Sequence, residues 1–189
     1  ILSSVAGGHC DMCLGQGREL FWARKPGGIK AEEILDFFRY KTAPSFEVVF
    51  RLGALCGGAG RDTIELLASY GVNLGIAYQV KDDVEDYRSG ESDDISAGRP
   101  SIVLAYAYEN ANAAGRRLIE EIRHGAPESA SPEEVRKVIK DTGAVDMAME
   151  TMMVYRQRAL LELGELANRD LKTLLCRAAG EILKPGPEA

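Results

Sequence analysis

No apolar run in this 189-residue chain approaches the ~20 residues needed to cross a bilayer. Basic stripes interleaved with aromatics are also missing, and the formal net charge is −6, which argues against a nucleic-acid partner. The opening residues, Ile1-Leu2-Ser3-Ser4-Val5, lack the charged and apolar regions of a secretory signal. Histidine is scarce: His9 sits in an apolar helical stretch and His124 in a polar loop, so neither invites a nucleophilic-triad reading. No glycine-rich strand-to-helix loop offers a nucleotide cradle. Period-two alternation is nowhere sustained, which leaves little room for strands. The four cysteines follow no regular framework, as expected of a protein of the reducing cytoplasm. One Cys-x-x-Cys occurs, in His9-Cys10-Asp11-Met12-Cys13. A zinc site would need a second ligand pair at suitable spacing, and only the distant Cys56, Cys176 and His124 remain. The surroundings read as helix rather than a thioredoxin-like unit, so buried structural cysteines are expected.

What is present is an ordinary globular composition, 46% hydrophobic and 28% charged, in a length that suits a single domain over residues 1–189. Nearly every segment reads as helix, so the expected class is all-α. Pro26-Gly27-Gly28 separates a first helix from a second at about residues 30–40. Residues 46–55 are apolar on more than one face and are expected to be buried. Gly57-Gly58-Ala59-Gly60 closes that helix, and a long one follows over residues 61–87, with interior Gly71 and Gly75 implying close packing or a bend. Residues 88–98 and 124–130 read as loops. Pro100 suits the start of a helix over residues 101–110, and Ser131-Pro132-Glu133-Glu134 has the form of a capped helix opening. Gly143 marks a joint before a long helix over residues 144–167, and a short terminal helix ends near Leu183.

The most informative segment is Gln79-Val80-Lys81-Asp82-Asp83-Val84-Glu85-Asp86, which follows the apolar Leu74-Gly75-Ile76-Ala77-Tyr78. Residues three and four apart share a helix face, so Gln79, Asp82, Asp83 and Asp86 form one face of an amide and three carboxylates. Such carboxylates repel, more so as water is removed. A bound divalent cation relieves this. Hard oxygen ligands suit Mg²⁺, which takes one or two carboxylates and completes its shell with water and substrate phosphates.

Three further elements could join that site. Lys41-Thr42 lies at a helix junction before Pro44, where an ammonium and a hydroxyl can hold a phosphate. Gly98-Arg99-Pro100-Ser101 puts an arginine at a helix start, where backbone N–H groups also favour anions. Gly15-Gln16-Gly17-Arg18-Glu19 puts the amide of Gln16 and the carboxylate of Glu19 one turn apart, which could equally be a satisfied internal hydrogen bond. Carboxylates for a metal, cations for phosphate and otherwise apolar helices point to a diphosphate substrate with a hydrocarbon tail. Metal and cations would stabilise the leaving diphosphate, and an apolar cavity would keep water from a carbocation.

These residues, in this order, resemble the trans-isoprenyl diphosphate synthases, the polyprenyl synthetase family. Residues 79–86 have the form of its second aspartate-rich motif, Gly15–Glu19 is similar to its Gly-Gln-x-x-Asp element with Glu for Asp, and Lys41-Thr42 matches its Lys-Thr element. The resemblance implies an isoprenoid-synthase-type bundle of helices around an apolar cavity, working as a homodimer through residues 3–23 and 31–58. It implies Mg²⁺-dependent head-to-tail condensation of isopentenyl diphosphate with an allylic diphosphate. Asp82 would ligate Mg²⁺ directly, with Asp83 and Asp86 completing the acidic patch through metal or water. Lys41 would grip the allylic diphosphate, with Arg99 serving the same anion. Thr42 and Gln79 would lie by the allylic carbon, with Gln16 and Glu19 in support.

The family's first aspartate-rich motif lies well upstream of the Gly-Gln element, whereas this chain begins 14 residues before Gly15 and contains no such motif. The expectation is therefore a synthase lacking its N-terminal helices. A non-catalytic partner subunit of a complete synthase, or a class I terpene cyclase or squalene-type synthase, are the alternatives. The 189 residues alone are expected not to elongate an allylic diphosphate. Incubation with Mg²⁺, isopentenyl diphosphate and farnesyl diphosphate checks this, and any elongated product from a chain of verified mass would overturn it.

Overall fold

The computed structural model describes residues 1–23, 28, 30–89, 99–123 and 131–184. The expected break at Pro26-Gly27, most of the loop 88–98, the loop 124–130 with His124, and the residues after 184 lie outside the described residues. Among those described, nine α-helices and no strand are found: α1 (Leu2–Ala23), α2 (Ala31–Lys41), α3 (Ala43–Cys56), α4 (Arg61–Ser89), α5 (Ile102–Asn110), α6 (Ala113–Arg123), α7 (Pro132–Asp141), α8 (Ala144–Glu162) and α9 (Arg169–Ile182). The all-α expectation holds. The helix expected over 144–167 stops at Glu162, where a 3₁₀ turn (Leu163–Glu165) leads to a new start capped by the Asn168 side chain on the Leu171 N–H. The sequence reading did not single out α6.

Helix α4 is the axis of the bundle, packed between α3 and α8. Leu67, Tyr70, Leu74, Ile76, Val80 and Val84 are all buried, and they fall on several sides of the helix rather than on one stripe. A helix apolar nearly all round must sit inside the core. The core contains no buried polar or charged residue among those described. Tyr70 carries a hydroxyl into it, and that hydroxyl donates to the Leu175 carbonyl at 2.9 Å. Burial raises the Tyr70 pKa to about 12, which keeps it neutral.

Local signals hold where their chemistry is strong. Ser131 and Glu134 form a reciprocal capping box at the start of α7, with Pro132 in the first turn. Gly143 joins α7 to α8 with φ +67, a left-handed conformation that side chains disfavour.

Two expectations are corrected. Helix α3 is not buried: only Ala43, Pro44 and Ala54 are, while Phe46 and Phe50 are half-covered and Val49 is exposed. Its packing partners are α4, α1 and α2, and they leave a side of it open. The cysteines are not buried either; Cys10, Cys13, Cys56 and Cys176 are all exposed. Helix α1 buries Gly8, Gly15 and Trp22, a seven-residue spacing that defines a single inward stripe. Cys10 and Cys13 fall off that stripe.

The interior glycines of α4 mark close packing rather than a bend. A Cβ at Gly75 would lie 2.9 Å from the Ala43 Cα and 3.0 Å from the Phe46 ring, and one at Gly71 would lie 2.9 Å from the Phe46 carbonyl oxygen. Gly53, in the exposed part of α3, has nothing within 4 Å of such a Cβ. Gly75→Ala is therefore expected to destabilise by about 1–3 kcal/mol through overpacking, despite better helix propensity. Gly53→Ala is expected to stabilise by up to about 1 kcal/mol. Urea unfolding of both variants checks the pair, and an unchanged or raised midpoint for Gly75→Ala would contradict the close packing of α3 on α4.

Candidate active site

The junction of α2 and α3 is where the site forms. Helix α1 reaches it at Gly15, where a Cβ would stand 2.5 Å from the Tyr40 carbonyl carbon and 2.7 Å from the Lys41 nitrogen. One turn further, the Glu19 carboxylate meets the Lys41 ammonium at 2.5 Å. Helix α4 reaches the junction from the other side at Gly75, and one turn further the Thr42 hydroxyl donates to Gln79 Oε1 at 2.8 Å. In both cases a glycine lets two backbones close up, and the next turn delivers a polar side chain.

The expected carboxylate face then unfolds along α4. Gln79 Nε2 donates to Asp82 Oδ2 at 3.1 Å and to Asp83 Oδ1 at 3.2 Å. Asp83 Oδ2 accepts the backbone N–H of Ile102, the first residue of α5, at 2.8 Å. Burial pushes the Asp83 carboxyl up to about 7; the charges of Asp82 and Asp86 add to the rise, and the hydrogen bonds from Ile102 and Gln79 oppose it. On the flank of the same helix, Lys81 pairs with Glu85 at 2.9 Å.

A cavity of about 200 Å3 gathers these groups. Its lining comprises Glu19, Lys41, Thr42, Gln79, Asp82, Asp83, Asp86 and Arg99, together with Phe37, Phe38 and Pro100. Every site residue singled out in the sequence is therefore brought to one place except Gln16, which is exposed on α1 and is not part of the lining. The Glu19 carboxylate is satisfied across helices by Lys41 rather than within its own helix. Phe37 and Phe38 were not anticipated. Their helical spacing with Ile34, an i, i+3, i+4 pattern, was the available signal, and it reads equally well as ordinary core. Nor could the link from Asp83 to Ile102 be read, since it joins residues across a loop.

What this lining can hold follows from its charges. The lining brings the carboxylates of Asp82, Asp83 and Asp86 into one cavity with the Lys41 ammonium and the Arg99 guanidinium, so a cation beside the carboxylates would let a polyanion be seated there. Among the described residues, no three His, Cys, Asp or Glu side chains are gathered tightly enough to hold a metal alone. The oxygen donors of Asp82, Asp83 and Asp86 are of the hard kind that a divalent cation takes.

The all-helical bundle is of the isoprenoid-synthase class, as its match to a solved prenyl synthase shows. The polyprenyl synthetase family model matches residues 1–142, and the chain belongs to that family. It is 27% identical over 186 residues to the octaprenyl diphosphate synthase of Haemophilus influenzae, covering 95% of this chain and 56% of that one. The geranylfarnesyl diphosphate synthase of Aeropyrum pernix is 28% identical over 138 residues, 69% of this chain and 42% of its own. The crystal structure of geranylgeranyl pyrophosphate synthetase from Pyrococcus horikoshii superposes with a TM-score of 0.85 at 26% identity, over 98% of this chain and 58% of that one. The chain thus spans about half the length of these relatives. No helix of the described residues is long and apolar enough to cross a membrane.

The Glu19–Lys41 pair is half-exposed, with 41% of the lysine side chain accessible, so its worth to the fold is small. Glu19→Gln is expected to change stability by less than about 1 kcal/mol, measured by chemical denaturation. A loss of about 3 kcal/mol or more would instead mark a desolvated structural ion pair.

Proposed function

We propose that this chain supplies the second aspartate-rich motif of a polyprenyl diphosphate synthase, for Mg²⁺-dependent condensation of isopentenyl diphosphate with an allylic diphosphate. One observation supports this above the others: Lys41, Thr42, Gln79 and Asp82 line a single cavity although they come from separate parts of the chain. Bound Mg²⁺ would supply Lewis-acid stabilisation of the leaving diphosphate. Asp82 would ligate the ion, with Asp86 and Asp83 completing the acidic patch through metal or water. The Lys41 ammonium, released from Glu19 or shared with it, would hold the allylic diphosphate as a point charge. Arg99 at the cavity rim would serve the same anion.

The Thr42 hydroxyl and the Gln79 amide oxygen would lie beside the allylic carbon. There their negative ends would favour the positive charge that develops as diphosphate departs. Phe37 and Phe38 would exclude water from that carbon. The relatives' names support the reaction class, since each is a prenyl diphosphate synthase. A cytoplasmic homodimer completes the proposal. Its interface would use α1, whose exposed side carries Leu2, Leu14, Leu20 and Phe21.

Calorimetric titration of an allylic diphosphate in the presence of Mg²⁺ tests this reading. Lys41→Ala and Asp82→Ala are each expected to weaken binding by about tenfold or more, as befits loss of a charge-assisted contact. In the parent, binding should vanish when Mg²⁺ is removed by EDTA. Metal-independent binding, or binding indifferent to both substitutions, would sink the proposal.

A further inference from the structure

We infer that Asp83 is a positioning residue rather than a metal ligand: its carboxylate fixes which end of the Gln79 amide meets Thr42, and it ties the start of α5 to α4. The inference rests on the function proposed above and refines the role of one residue in it.

The Gln79 amide has a donor end and an acceptor end. A carboxylate oxygen without a proton accepts hydrogen bonds. Asp82 Oδ2 at 3.1 Å and Asp83 Oδ1 at 3.2 Å both accept from Nε2, so the NH₂ end faces these two acceptor oxygens. The oxygen end is thereby left for Thr42, whose hydroxyl donates to Oε1 at 2.8 Å. A reversed amide would put two N–H donors where the proposed chemistry develops positive charge. Asp82 cannot enforce the orientation alone once its oxygens are drawn to a cation. Asp83 can, because it is held elsewhere.

What holds it is α5. The first N–H groups of a helix have no partner within the helix. At the start of α5 the Ser101 side chain accepts from the Val103 N–H at 3.2 Å, and Asp83 Oδ2 accepts from the Ile102 N–H at 2.8 Å. Each Asp83 oxygen is therefore committed to a donor, one on α4 and one on α5. The Ile102 anchor lies three residues after Arg99 and two after Pro100, which line the cavity rim. Asp83 thus sets both the amide inside the cavity and the approach of the segment that bounds it.

The isosteric Asp83→Asn change separates the roles. An asparagine has one acceptor and can serve either the Gln79 N–H or the Ile102 N–H, not both. The probe is Mn²⁺ with inorganic diphosphate, followed by electron paramagnetic resonance. Asp83→Asn is expected to keep Mn²⁺ affinity within about threefold of the parent, while Asp82→Asn loses about tenfold or more, as loss of a direct ligand requires. An equal loss for both variants would overturn the inference. If the parent itself binds no Mn²⁺, the functional proposal fails, and Asp83 is still tested by backbone hydrogen exchange at Ile102. There Asp83→Ala is expected to speed exchange by about tenfold through loss of a hydrogen bond to a charged group, and unchanged exchange would overturn the positioning role. A third arm needs no variant. Saturating Mn²⁺ and diphosphate should leave the parent's Ile102 amide protected, whereas deprotection on metal binding would show Asp83 leaving α5 for the metal.

Discussion

Two glycine contacts on either side of a single helix junction govern this site. Gly15 lets α1 close on the end of α2, and Gly75 lets α4 close on the start of α3, each with no room for a Cβ. The chain between those two contacts is Lys41-Thr42. Because side chains four residues apart stack on a helix, the turn after Gly15 brings Glu19 to Lys41, and the turn after Gly75 brings Gln79 to Thr42. The rest of the cavity follows from this clamp. Once Gln79 is placed, Asp82, Asp83 and Asp86 are placed by the helix that carries them. Once Asp83 is placed, the start of α5 follows through the Ile102 amide.

The second constraint is electrostatic. A core without a buried polar or charged residue among those described is penetrated at one end by a helix that carries three carboxylates on one face. Desolvation, above all, raises the Asp83 carboxyl within that arrangement, and the charges of Asp82 and Asp86 add to it. The opposing ammonium of Lys41 is not directed at those carboxylates, since it is paired with Glu19. The acidic face and the lysine line the same cavity, with the lysine paired to Glu19. Under the proposed function, a bound metal and its anion would satisfy these crowded carboxylates.

The helical class was legible because apolar residues recur at helical spacing and no segment alternates. The end of α3, both ends of α7 and the start of α8 were legible because glycine, proline and the Ser131 box punctuate them. The carboxylate face was legible for the same geometric reason, as spacings of three and four fix it before any tertiary structure exists. Burial was not. Helix α3 is apolar on several sides, yet only part of it is covered, and α1 turns its cysteines outward because Gly8, Gly15 and Trp22 take the inward stripe. Periodicity reports that a face is apolar, not what will cover it. The Glu19–Lys41 and Asp83–Ile102 links were out of reach for a related reason, since each joins separate helices whose approach is set by packing.

The most direct measurement is a crystal structure of the protein grown with Mn²⁺ and inorganic diphosphate, with the metal located by its anomalous scattering. The account predicts an anomalous peak within coordination distance of Asp82, with the diphosphate bridging it to Lys41, and Asp83 still on the Ile102 amide. A metal bound away from α4, or a diphosphate seated elsewhere while Lys41 keeps only Glu19, would contradict it.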